Sequence, residues 1–315
     1  MEPTIFPTKS EIEQAAAIIR RGGLVAFPTE TVYGLGANAL DAEAVQRIYL
    51  AKRRPASSPL IVHVSSVAMA KKLVSDWPER AEKLASSFWP GPLTLILPKN
   101  TRIPMEVTAG LPSVGIRMPA HPVAMQLIEA AGVPIAAPSA NLFTKVSPTE
   151  ARHVREGLGE AVECILDAGP TEVGIESTVL SLLGSQGTIL RPGMVTADEI
   201  EAVIGPLGAP EPEAAGSHAS PGMHRKHYSP ATKVLVTDAL PSARVAYVWW
   251  RQPRESANSI RMPAAPAQYA RQLYAVLHRL DSESLDYIVV EPVPESEAWA
   301  GIRDRLKRAS SESTR

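Results

Sequence analysis

The chain has 315 residues, 45% hydrophobic and 21% charged, close to a soluble globular average, which excludes a disordered or fibrous chain. Lys and Arg number 32 against 33 Asp and Glu, and this net charge of -1 argues against a globally basic nucleic-acid binder. The one cysteine, Cys164, excludes an internal disulfide and a cysteine-built metal cluster. No apolar run reaches the roughly 18 residues that span a bilayer, and no basic-then-apolar leader opens the chain. The expectation is a cytoplasmic protein with no membrane contact. At roughly 150 residues per domain, the length suggests about two domains.

Ser10, with Glu13 three residues on, predicts a capping box. Ile12, Ala16 and Ile19 then recur at helical spacing until Gly22-Gly23. Leu24 to Phe27 reads as a buried strand, and a second helix starts at Asp41 with Val45, Ile48 and Tyr49 on its inner face. Leu60 to Val64, Leu93 to Leu97 and Val114 to Met118 read as strands. Pro122 to Ala131 reads as a helix, Ile135 to Ala137 as a brief strand and Thr149 to Gly157 as a helix. Strand-like runs follow at Ile165, Val179 to Leu182 and Ile189-Leu190, then a helix from Ala197 to Ile204. Alternating strands and helices with short connections predict an α/β domain.

Composition then shifts. Gly205 to Ser220 is rich in Pro, Ala, Gly and Glu and reads as a linker running into a patterned segment, Ser220 to Pro230. A second α/β pattern follows: Val234 to Val236, Val245 to Trp249, a helix near Gln268 to Leu280, Ile288 to Val290, and a helix near Trp299 to Arg308. The expected division is 1–205, a linker or lid over 206–231, and a small domain over 232–315.

Gly34-x-Gly36-x-x-Ala39 matches a dinucleotide fingerprint. Thr29 to Tyr33 separate it from the strand, however, and no acidic residue follows at the expected distance. Lys52-Arg53-Arg54 ends the second helix, where cations complement the dipole. The same cations, beside Ser57 and Ser58, also suit anionic oxygens through arginine's planar fork. His63 is either a satisfied core histidine or a ligand-facing group. Ser147 or Thr149 either caps the next helix or faces a site. Arg54, Arg117 and Arg191 among many serines suit a polyanion plus a carboxylate. His218, His224 and His227 lack a compact ligand spacing, so no protein-ligated metal is assigned.

Five motifs occur in order between about Ser10 and Met194. They are Pro28-Thr29-Glu30-Thr31-Val32-Tyr33-Gly34-Leu35, Lys52-x-Arg54, Pro59-Leu60-Ile61-Val62-His63, Trp89-Pro90-Gly91-Pro92-Leu93-Thr94 and Ser139-Ala140-Asn141. As a set they resemble the threonylcarbamoyl-AMP synthases, the YrdC-like family. The Ser220 to Pro230 segment and the second domain resemble its longer, two-domain form. The resemblance implies a YrdC-like twisted α/β sheet with a concave, positively charged cavity, plus a small Rossmann-like C-terminal domain whose linker reaches back over the cavity.

It also implies a nucleotidyltransferase that makes threonylcarbamoyl-AMP and pyrophosphate from L-threonine, bicarbonate or CO2 and ATP. The product would serve tRNA threonylcarbamoyladenosine modification through a downstream tRNA threonylcarbamoyl-transfer machinery. Thr31, His63, Arg117, Ser177 and the backbone at Ala137 would surround threonine. Arg54, Ser58, Ser113, Ser139, Ser147, Arg191 and Tyr228 would hold ATP. Lys52 and Asn141 would line the same cavity. Mg2+ would come through the ATP phosphates, and positioning rather than a protein nucleophile would drive the chemistry. The chain departs from the family at position 58, often Asn or Lys and here Ser, and at 53, often Gly and here Arg. The alternative is a double-stranded RNA-binding or ribosome-associated module taking tRNA or double-stranded RNA. Such a surface needs cations but not His63 and Ser177 around one small pocket. A carbamoyl-transfer domain of hydrogenase maturation is disfavoured, because no acylphosphatase-like stretch and no zinc-finger cysteines occur.

Overall fold

The computed structural model describes residues 6–209, 227–256 and 258–310. Its first part is a mixed nine-stranded sheet in the order β7-β1-β2-β6-β3-β5-β4-β8-β9. The strands are β1 (Val25–Pro28), β2 (Tyr33–Asn38), β3 (Ile61–His63), β4 (Leu93–Pro98), β5 (Ser113–Arg117), β6 (Ile135–Ala136), β7 (Cys164–Ile165), β8 (Thr178–Ser181) and β9 (Thr188–Arg191). The helices around them are α1 (Lys9–Arg20), α2 (Ala42–Lys52), α3 (Val67–Lys71), α4 (Glu79–Phe88), α5 (Met105–Thr108), α6 (Pro122–Ala131), α7 (Ala151–Leu158) and α8 (Ala197–Ile204).

Both faces of this sheet are covered. Val25 and Phe27 pack with α1 and α6, while their neighbours Leu24 and Ala26 pack with Tyr33, Leu35 and the inner face of α2. This is the two-residue alternation of a strand buried on both sides. The turn between β1 and β2 is built by Thr29, whose hydroxyl accepts from the amides of Thr31 and Val32, each at 3.2 Å.

The second part is a four-stranded, all-parallel sheet in the order β10-β13-β11-β12. Its elements are β10 (Lys233–Val236), β11 (Val245–Trp249), β12 (Asn258–Arg261), α9 (Pro266–Asp281), β13 (Tyr287–Val290) and α10 (Ala300–Ala309). The two parts share a core. Val32, Val146 and Ile175 of the first pack in one cluster with Tyr228, Leu273, Tyr274, Ile302 and Leu306. Among the described residues no helix is long and apolar enough to cross a membrane.

Several expectations change. Thr8 rather than Ser10 caps α1: its side chain accepts from the Glu11 amide, and the Glu11 carboxylate accepts from the Thr8 amide at 2.7 Å. Both residues fit the motif, and the earlier box adds a half-turn of helix with no breaker in the way. Gly34 and Gly36 belong to β2, not to a phosphate-binding turn. A Cβ on Gly36 would stand 2.7 Å from the Phe27 ring and from Ile135, so the glycine serves close packing across the sheet. Neither Ser147 nor Thr149 caps α7; Glu150 holds that position without a side-chain bond. The segment read as a linker over 206–231 falls mostly outside the described residues, as do His218 and His224.

Candidate active site

A cavity of about 50 Å³ opens where the β1–β2 turn, the β3 and β5 ends and the loop after β6 meet Ser177, Arg191 and Tyr228. Its wall carries Thr31, Arg54, His63, Arg117, Ala137, Ser139, Ser177, Arg191 and Tyr228, from segments far apart in sequence. Lys52, Ser58, Ser113, Asn141 and Ser147 stand outside that wall.

His63 and Arg117 are register partners at the C-terminal ends of the parallel strands β3 and β5. Arg117 is held on three sides. Its Nε donates to the Gly91 carbonyl at 3.2 Å, its Nη1 to the Thr31 hydroxyl at 2.9 Å, and its Nη2 lies 2.6 Å from Glu30 Oε1. Glu30 is fixed in turn by the Ala120 amide, which donates to its Oε2 at 3.1 Å. Burial pushes the His63 imidazole down to about 3, and the neighbouring Arg117 cation adds to the shift, so the ring is neutral near pH 7. Nδ1 of His63 is buried without a hydrogen-bond partner. A neutral imidazole in the cavity wall beside a guanidinium is suited to accept from a ligand hydroxyl or amine.

The other end gathers cations. Arg54 is buried, donates from Nη2 to the Pro59 carbonyl at 3.1 Å, and stacks on Phe143 at 5.5 Å. The helix-dipole reading therefore does not describe it. The C-cap is Arg53, at φ +50° in the left-handed region that favours glycine. The Ser58 carbonyl accepts from Arg54 Nε at 3.4 Å, and Ser113 opens β5. Arg191 donates to the Ser177 carbonyl from Nε at 3.1 Å and to its hydroxyl from Nη2 at 3.1 Å. Thr94 braces the same hydroxyl at 2.8 Å. Lys52 stands behind the wall rather than in it, its ammonium donating to the carbonyls of Ser139 and Asn141. Burial, with Arg54 nearby, holds its pKa well below the ordinary lysine range. Asn141 closes the loop over itself, donating to the Leu142 and Lys145 carbonyls at 2.9 and 2.8 Å.

The sequence and fold are similar to those of known proteins. A family model described as telomere recombination matches residues 17–193, and one described as threonylcarbamoyl-AMP synthase, C-terminal domain, matches residues 195–311. The threonylcarbamoyl-AMP synthase of Pyrococcus abyssi is 42% identical over 320 residues, covering 95% of this chain and 94% of that protein. The Bacillus subtilis protein of the same name is 42% identical over 321 residues, covering 95% and 93%. The crystal structure of P. abyssi Sua5 complexed with L-threonine superposes with a TM-score of 0.91 at 40% identity, covering 96% of this chain and 95% of that one. The chain belongs to the threonylcarbamoyl-AMP synthase family.

Within that family the chain has the two-part form, a mixed α/β sheet followed by a parallel one. Sequence reasoning missed several groups that shape this synthase cavity. Glu30 was legible, since it sits inside the quoted Pro28 to Leu35 motif, yet only the fold shows it against Arg117. Thr94 was legible in the same limited way. Glu176 precedes Ser177 in the chain, and it lines the cavity. Tyr274 and Arg305, which bind Glu176, carry no motif at all.

Proposed function

We propose that the protein is an L-threonylcarbamoyladenylate synthase, joining L-threonine, bicarbonate or CO2, and ATP. The observation that carries this is one cavity wall with a carboxylate-binding set, Arg117, Thr31 and His63, close to a polyanion-binding set, Arg54 and Arg191. In this reading Arg117 takes the threonine carboxylate with its remaining N–H groups, and the neutral His63 imidazole accepts from the threonine hydroxyl or amine. Ser177 and the Ala137 backbone border the same ligand. Arg54, Ser139, Arg191 and Tyr228 face the nucleotide, with Ser58 beside Arg54.

The chemistry follows from placement. The threonine amine attacks the carbon of CO2, or of bicarbonate with loss of water, giving a carbamate. A carbamate oxygen then attacks the α-phosphorus, and the bond to the β-phosphate breaks, releasing pyrophosphate. Neither step needs a nucleophile from the chain; alignment and charge neutralisation supply the rate. Glu176, the carboxylate in the wall, already takes donors from Ser147, Tyr274 and Arg305. A Mg2+ ion would therefore ride on the phosphates rather than on side chains. The product would feed a tRNA threonylcarbamoyl-transfer machinery.

A cavity of about 50 Å³ is far below the roughly 300 Å³ of a usual small-molecule site. We infer that the Tyr228 ring moves aside when substrates enter. Tyr228 sits at φ +59°, a backbone state that a non-glycine residue holds only under strain. The deciding assay incubates the full chain with ATP, Mg2+, bicarbonate and threonine and reads threonylcarbamoyl-AMP by mass spectrometry. Product that needs each component supports the function; its absence with all present overturns it.

A further inference from the structure

Helix α10 rests directly on the turn after β9. A Cβ on Gly301 would come within 2.8 Å of the Gly193 carbonyl oxygen, so the absence of a side chain lets helix and turn touch. Helix α9 approaches in the same way at Gly174, where a Cβ would lie 2.5 Å from the Ala270 carbonyl oxygen. Backbone meets backbone at both places, which leaves the second module little freedom in how it meets the cavity wall.

Between these contacts Arg305 enters the first module, fully buried. Its Nε donates to Glu176 Oε2 at 2.7 Å and its Nη2 to the Glu176 carbonyl at 3.2 Å. Its Nη1 donates to the Pro192 carbonyl at 3.0 Å and to Asp304 at 2.7 Å. The guanidinium thus grips the main chain just before Ser177 and just after Arg191. Those two side chains are themselves bonded and face the cavity. Tyr274 of α9 donates to the same Glu176 oxygen at 3.0 Å, Ser147 donates to the other at 2.6 Å, and the Tyr228 ring lies 5.2 Å from the Arg305 guanidinium. Burial pushes the Glu176 carboxyl up, but Arg305 and Arg191 outweigh it and hold the group below the ordinary glutamate range.

We propose that Arg305, from the second module, is a positioning residue for the seam between the threonine and nucleotide ends of the cavity. This rests on the functional reading above. Arg305 does not line the cavity. It sets the spacing of Ser177 and Arg191 through the peptides on either side. A planar fork can hold two carbonyls and a carboxylate at once, and a lysine, as a point charge, cannot. Misplacing the seam should harm the alignment of carbamate and α-phosphate more than the binding of either substrate alone.

The test uses the full chain. Calorimetry gives the affinity and stoichiometry of ATP and of threonine separately, and turnover is expressed per ATP-binding site so that unfolded protein does not count. Arg305→Lys is expected to bind each substrate within about threefold of wild type while kcat per site falls about tenfold or more. Tyr274→Phe, which keeps the ring and its packing, is expected to lower kcat per site about two- to threefold. It decides the matter if Arg305→Lys fails to fold. Wild-type kcat per site in the folded variant overturns the proposal, because a residue that merely docks the modules would leave it unchanged. An inactive wild type would instead overturn the functional reading.

Discussion

Arg117 and Glu30 meet at 2.6 Å, both buried beside the cavity, so the guanidinium best placed for a substrate carboxylate already has a carboxylate of the chain on one side. Breaking a buried pair leaves an uncompensated charge and costs about 3–5 kcal/mol. Glu30→Gln should therefore melt well below wild type. Threonine brings a carboxylate of its own, so saturating threonine should raise the melting temperature more in Glu30→Gln than in wild type. Equal shifts would show that Arg117 does not meet that group. By calorimetry Arg117→Ala should lose about 30- to 150-fold in threonine affinity, the roughly 2–3 kcal/mol of a charge-assisted contact, with ATP affinity within about threefold.

At the opposite end, Arg54→Ala and Arg191→Ala should each weaken ATP binding about tenfold or more, since both are buried cations in the cavity wall. Arg152, an exposed arginine paired to Glu150, is the control. Its replacement should change affinity and stability by close to zero. Calorimetry on the three variants settles the matter, and wild-type nucleotide affinity in the first two would remove them from the site.

Lys52 tests the wall from behind. Lys52→Met keeps the length of the side chain but leaves the Ser139 and Asn141 carbonyls without their donor. We expect a loss of about 2–4 kcal/mol in stability, read by denaturant unfolding, and weaker ATP binding through a displaced Ser139. Unchanged stability would show that water replaces the ammonium.

The modules also meet through two stacked histidines. His153 of α7 and His278 of α9 have ring centroids 3.9 Å apart, and His278 Nε2 lies 3.1 Å from the Ser147 carbonyl. Burial lowers both; His153 falls to about 3, with His278 and Arg152 adding to the shift. Glu150, Glu156, Arg152 and Asp281 are the charged groups near the pair. A group with a depressed folded pKa is bound by fewer protons folded than unfolded. Its stabilisation is whole above about pH 6.5 and declines as the pH falls below that, toward about pH 3 for His153, by up to about 1.4 kcal/mol per unit. His278→Phe keeps the stack and removes one titration, so its melting temperature should fall less than that of wild type between pH 7 and pH 5. Parallel curves would clear the pair of any part in acid sensitivity.

How much of this was legible depended on how local the signal was. Helix α6 was read at its true limits because Pro122 starts it and Gly132, in the left-handed conformation, stops it. The strand β2 was missed because its glycines look like a loop until Phe27 and Ile135 are seen pressing on them. The strand β12, Asn258–Arg261, was missed because a short edge strand of mostly polar residues has no hydrophobic alternation to read. Within the site, motif residues such as His63 and Arg117 could be named in advance, since strand register alone brings them together. Lys52 could be named but not placed, because whether a lysine lines a cavity or braces a loop behind it is set by packing. Arg305 could not be named, for its partner Glu176 lies 129 positions away and nothing in α10 distinguishes it from an ordinary surface arginine.

That separation bears on when the cavity wall is braced, not only on how. A chain grows and folds from its N-terminal end. The first sheet can pair its strands while α9 and α10 are still unmade, but Glu176 then lacks both Tyr274 and Arg305, and Val32, Val146 and Ile175 lack their cover. On this arrangement the wall behind Ser177 and Arg191 is finished by the last helix among those described. A nascent or truncated chain therefore holds the motif residues without the assembled seam.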